Sequence, residues 1–157
     1  MELTALPFTF PGKIFRSAMP YSAYDPEGNL IPAYKNNNVS MVVMLASEDE
    51  SIRASGRNLL EFYQAEGIEV VYLPIEDFGV PEISEVREAI PLVLSHSRRG
   101  GAVAVHCHAG VGRTGMFLAS LAKLGMAYSS EDAVRWVREY IPGAIEVPSQ
   151  EQIVRMV

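Results

Sequence analysis

The strongest constraint on this chain is a rhythm. Three short apolar runs rich in β-branched residues, at 39–45, 68–73 and 102–106, are each followed by a stretch long enough for a helix. Apolar runs without polar alternation belong to strands buried on both faces, the condition of a parallel sheet covered by helices. Strands that alternate with helices specify an α/β domain. A shorter strand is expected at 13–17, and a short helix ending at Asn36, Asn37 and Asn38. Longer helices are expected at 55–66, stopped by Gly67, and at 82–97, closed by Gly100 and Gly101. Three more follow at 113–126, 130–140 and 150–156. The expected architecture is a single domain over 1–157, with a central, mostly parallel sheet of about four to five strands flanked by helices. Right-handed crossovers align the C-terminal ends of such strands along one edge, where ligands bind. Three loops leave that edge, at 46–55, 74–81 and 107–112.

Composition narrows the function classes. Thirteen Lys and Arg against 19 Asp and Glu give a net charge of −6, which argues against a nucleic-acid or anionic-membrane binder. The single cysteine, Cys107, excludes an intrachain disulfide and a multi-cysteine metal site. No apolar run approaches the roughly 20 residues of a membrane span, and the first residues lack the pattern of a secretion signal. A cytoplasmic protein is expected, with no membrane and no nucleic-acid partner. The charge is also unevenly spread: five basic and 12 acidic side chains lie in 1–82, and no carboxylate occurs between Glu88 and Glu131. Arg98, Arg99, Arg113 and Lys123 fall inside that gap. It reads either as a buried strand and helix, which exclude carboxylates for packing reasons, or as a local positive field for an anionic ligand.

The loop 107–112 carries the chemistry. His106-Cys107-His108-Ala109-Gly110-Val111-Gly112-Arg113-Thr114-Gly115 joins an apolar strand to an apolar helix. A helix N-terminus presents unpaired N–H groups and the positive end of the dipole. Gly110 and Gly112 let successive N–H groups turn inward as an anion nest, and Arg113 offers a planar fork to two phosphate oxygens. The same cradle stabilises a thiolate. Ionising an ordinary thiol well below neutral pH takes roughly 4 kcal/mol. A helix dipole supplies at most about 2 kcal/mol. The whole loop, Arg113 included, must supply the rest. A dinucleotide reading of Gly110-x-Gly112-x-x-Gly115 lacks the acidic strand end it requires. Three consecutive residues, His106 to His108, cannot readily converge on a metal.

The run His-Cys-x-x-Gly-x-x-Arg-Thr-Gly resembles the signature of the cysteine-dependent protein tyrosine phosphatase superfamily. Pro74-Ile75-Glu76-Asp77 followed by Pro81 resembles the general-acid loop of its compact dual-specificity members, and 142–150 resembles the segment after their penultimate helix. The resemblance implies a dual-specificity phosphatase-like fold and a two-step reaction without metal or other cofactor. Cys107 would attack phosphorus, and water would hydrolyse the phosphocysteine. His108, Ala109, Gly110, Val111, Gly112 and Arg113 would bind the phosphoryl group. Thr114 would assist Cys107 as leaving group, His106 would orient the loop, and Gln150 would position the second-step water.

The acid can also be argued from topology. One helical crossover links the strands at 68–73 and 102–106, so their loops leave one edge as expected neighbours. Asp77 then protonates the leaving oxygen, with Asp49 as the alternative on the same edge. Tyr21, Tyr24 and Tyr34 either rim the pocket or pack. The expected substrates are phosphotyrosine and phosphoserine or phosphothreonine of proteins, acted on by a monomer. Inositol phosphates, phospholipids, an RNA 5′-phosphate and a silent phosphate-binding module are the alternatives. A lysine-free phosphate loop argues against phosphoinositides, and the retained nucleophile and acid argue against the silent module.

Overall fold

A computed structural model describes residues 2–157. Five strands, β1 (Thr4–Leu6), β2 (Ile14–Ser17), β3 (Val39–Met44), β4 (Glu69–Tyr72) and β5 (Ala102–His106), form one sheet. The seven helices are α1 (Leu30–Asn36), α2 (Glu48–Ser55), α3 (Leu59–Ala65), α4 (Ile83–Arg98), α5 (Gly112–Met126), α6 (Ser130–Tyr140) and α7 (Pro148–Met156). The strand order is β1-β2-β5-β3-β4, with every pair parallel except β1–β2. This is the expected α/β domain with a mostly parallel sheet.

The alternation of side chains along each strand explains the two covering layers. Met41, Val43, Val103 and Val105 face one side, packed with Ile90 and Val93 of α4 and Phe117 and Leu121 of α5. Val42, Met44, Ala102 and Ala104 face the other, packed with Tyr34 of α1 and Leu59 and Tyr63 of α3. Every residue of α5 from Gly112 to Ala122 is buried, so its freedom from carboxylates has a packing cause.

Three features depart from the sequence reading. β1 is an added antiparallel edge strand, too short to stand out as a pattern. Residues 48–55, expected as loop, form α2. Its N-cap is Ser47, whose hydroxyl accepts from Glu50 N–H. Third, β3 lies between β4 and β5, so these two strands are not neighbours, although the loop after β4 still reaches Arg113 after β5. The loop after β3 is the nearer neighbour of the phosphate-type loop, and it delivers α2 to the same edge.

Candidate active site

β5 delivers His106 and Cys107, and α5 begins at Gly112 so that Arg113 and Thr114 fall in its first turn. The Thr114 hydroxyl donates to Cys107 Sγ at 3.1 Å, the contact a leaving-group role needs. Cys107 is buried. Gly110 sits at φ +77°, and a Cβ there would lie 2.3 Å from the Ser17 carbonyl oxygen, so only glycine fits.

Arg113 is 1% exposed and fully directed. Its Nη1 and Nη2 donate to the two Glu50 carboxylate oxygens at 2.8 and 2.9 Å, and Nη1 also reaches the Ile75 carbonyl at 2.7 Å. Asp77 Oδ1 lies 3.3 Å from Nη2. Burial pulls the Arg113 pKa down, but the Glu50 hydrogen bonds, Cys107, the Glu50 charge and Asp77 outweigh it and raise the value. Among the described residues, Arg113 Nε is the one buried side-chain nitrogen or oxygen atom without an acceptor or donor.

His106 is buried and its pKa is lowered to about 4 by burial, so the ring is neutral at pH 7. Nδ1 lies 2.9 Å from the Cys107 carbonyl, which can only accept. Nδ1 therefore carries the proton and Nε2 accepts from the Tyr63 hydroxyl at 2.8 Å. Tyr63 hydrogen-bonds Tyr34, whose hydroxyl meets Ser17 Oγ at 2.7 Å. Burial pushes both tyrosine pKa values up, which keeps this chain of hydroxyls protonated. His106 is thus a neutral ring that donates to the Cys107 carbonyl and accepts from Tyr63.

Behind the loop stands Arg16, on β2. Its Nε and Nη2 donate to the Gly110 carbonyl at 3.1 and 2.6 Å. Met19 N–H donates to the His108 carbonyl at 2.8 Å. Tyr24 meets the His108 ring edge-on, at 5.5 Å between centroids, whereas Tyr21 stacks on the Arg57 guanidinium and Tyr34 bonds Ser17.

Asp77 is half exposed and accepts from Phe78 N–H at 3.0 Å. It reaches Arg113 across the width of β3 because the loop after β4 folds back over it, with Ile75 N–H on the Leu45 carbonyl. Asp49 lines the adjoining cleft with Ser47, Glu50, Arg53, Glu76 and Asp77, a space of about 610 Å³. Gln150 is buried, with Oε1 accepting from Glu146 N–H at 3.0 Å and Nε2 donating to the Gly79 carbonyl at 3.3 Å. It thereby ties α7 to the Asp77 loop. Arg98, Arg99 and Lys123 lie elsewhere: Arg98 over Phe10, Arg99 on Ser95, and Lys123 on the Val154 and Arg155 carbonyls. The positive field of the carboxylate-free stretch reduces to Arg113.

Sequence reasoning missed Glu50, Arg16 and Tyr63. For Glu50 a signal existed, since Ser47-x-x-Glu50 is the capping-box pattern of a helix start.

The profile of the family described as polymorphic toxin system, DSP-PTPase phosphatase (Tc-R-P) matches residues 24–126, which span both loops. The chain belongs to this DSP-PTPase phosphatase family. Dual specificity protein phosphatase CDC14B of Mus musculus is 28% identical over 149 residues, 95% of this chain. Tyrosine-protein phosphatase CDC14 of Saccharomyces cerevisiae is 28% identical over 125 residues, 80% of this chain. The chain spans only 28% of the mouse protein and 21% of the yeast one. The solved structure of Tk-PTP in its active form superposes with a TM-score of 0.79 at 27% identity, covering 99% of this chain and 97% of that one. The kinase associated phosphatase KAP gives 0.86 at 21% identity, covering 98% of this chain and 92% of that one, a likeness of fold. This DSP-PTPase chain has, among its described residues, no helix long and apolar enough to cross a membrane.

Proposed function

We propose that the protein hydrolyses phosphomonoesters of proteins, phosphotyrosine together with phosphoserine or phosphothreonine, through a phosphocysteine intermediate. The observation that carries this reading is the state of Arg113. Both Nη atoms are tied to Glu50, Ile75 and Asp77, while Nε alone has no acceptor on a buried side chain beside Cys107. A buried donor left so is costly unless an incoming oxygen meets it.

In the first step the Cys107 thiolate forms the S–P bond as the P–O bond to the leaving group breaks, and Asp77 gives its proton to that oxygen. The N–H groups of 108–113 and Arg113 hold the three phosphoryl oxygens through a loose transition state. In the second step water attacks phosphorus and gives its proton to Asp77, while the Thr114 hydroxyl stabilises the departing sulfur. The cleft beside the loop carries Asp49, Glu50, Glu76 and Asp77 against Arg53. That balance repels inositol polyphosphates and other polyanions, and so supports a protein-borne monoester.

The test is hydrolysis of a small aryl phosphate. Cys107→Ser should abolish turnover, and Asp77→Asn should lower kcat by about 10²–10⁴ and flatten the basic limb of its pH profile. Retained turnover in Cys107→Ser would end the covalent mechanism. Phosphotyrosine and phosphoserine peptides, set beside an inositol polyphosphate, then decide the substrate class.

A further inference from the structure

Two arginines lie against the loop that carries Cys107, Arg113 in the first turn of α5 and Arg16 on β2. Arg113 is faced by Glu50 through two hydrogen bonds and by Asp77 at 3.3 Å, so much of its charge is balanced where it stands. The Thr114 hydroxyl donates to the sulfur, and the neutral His106 ring is held on the Cys107 carbonyl. A second cation lies behind the loop. Arg16 is 8% exposed and donates through both Nε and Nη2 to a single carbonyl, that of Gly110.

A trans peptide points its C=O and N–H in opposite directions. Holding the Gly110 carbonyl toward β2 therefore turns the Val111 N–H the other way, into the cradle. The bond from Met19 N–H to the His108 carbonyl does the same for Ala109 N–H. Gly110, at φ +77° against the Ser17 carbonyl, is the residue that lets the loop lie this close to β2. Residues 16–19 thus form the rear wall of the phosphate loop, and Arg16 is its only charged member.

We propose that Arg16 is a positioning residue of the phosphate loop: it fixes the Gly110 carbonyl outward, aims the Val111 N–H at the phosphoryl group, and brings a second fixed positive charge to the Cys107 sulfur. The proposal rests on Cys107 as nucleophile, and it assigns Arg16 no contact with substrate. The charge that burial penalises at Arg16 is favoured by Cys107, in keeping with this geometry.

The experiment uses the full chain with Arg16→Met and Arg16→Lys, first checked for folding by thermal melting. Two readouts are independent of turnover. One is the rate of Cys107 alkylation by iodoacetamide at mildly acidic pH, where only ionised thiol reacts. The other is the affinity for inorganic phosphate measured in a Cys107→Ser background. Arg16→Met should slow alkylation about tenfold or more. It should weaken phosphate binding, and kcat/KM for an aryl phosphate should fall roughly 10–100-fold, the scale of a lost charge-assisted hydrogen bond. Arg16→Lys keeps the charge but not the fork, so it should restore alkylation more fully than phosphate binding. A folded Arg16→Met with unchanged alkylation and phosphate affinity overturns the proposal. If Arg16→Met does not fold, Arg16→Lys with wild-type phosphate affinity overturns it instead. Turnover surviving in Cys107→Ser would refute the covalent reading by itself, and the phosphate affinities would still judge Arg16.

Discussion

His106 sets the acid limit of this fold. Its pKa is about 4 in the folded chain and about 6.5 when unfolded. Between those values the unfolded state binds a proton that the folded state rejects. The residue thus has no effect on stability well above pH 6.5, and it costs stability progressively as pH falls through 6.5 toward 4. The total is about 3 kcal/mol, the energy of two to three pKa units. Replacing His106 by Gln should lower stability at pH 7 through lost hydrogen bonds, yet give a shallower decline from pH 6.5 to 4. Denaturant midpoints measured across that range check this; equal slopes would reject it. At this scale the sequence was legible where one short segment holds all the chemistry, as at Cys107, Arg113 and Thr114. It was silent where function comes from a partner remote in the chain. Glu50 lies 63 residues from Arg113, Arg16 lies 94 from Gly110, and Tyr63 lies 43 from His106. No local pattern encodes such pairs.

Among the elements, α2 links a helix cap to Arg113. Ser47 Oγ accepts from Glu50 N–H at 3.1 Å, and the Glu50 carboxylate, which in a capping box would turn back to the cap, instead grips Arg113. Ser47→Ala should cost about 1 kcal/mol of stability. It should also lower kcat/KM, because the first turn of α2 then holds Glu50 less firmly. Ser129→Ala is the matched control: Ser129 caps α6 in the same way, accepting from Asp132 N–H at 3.1 Å, far from Cys107 in role. It should lose similar stability with unchanged kcat/KM. Equal activity in the two variants would dissociate the cap from Arg113. Strand identity was readable because β3, β4 and β5 each carry a core of valines with small or apolar neighbours; strand order was not, since periodicity says which face is buried and never which strand lies beside which. The insertion of β3 between β4 and β5 was missed for that reason.

For the molecule as a whole, the net charge of −6 and the carboxylates of the cleft set the encounter with substrate. Raising ionic strength from about 0.01 to 0.15 M shortens the screening length from about 30 to 8 Å. The kcat/KM for an inositol polyphosphate should therefore rise with salt, and that for a phosphopeptide flanked by lysines should fall. Salt-independent values for both would show that the cleft does not steer substrates. The wall behind the phosphate loop has a further consequence, in time. β2 pairs with β5, joining Ile14 to Val103 and Ser17 to His106 over more than half the length of the chain. Contacts so distant in sequence are slow to close and form with the global topology. On a ribosome β2 must wait until residues beyond 113 have emerged before its arginine meets the loop. A partly synthesised chain therefore has no armed cysteine, and reactivity arrives only with the finished sheet.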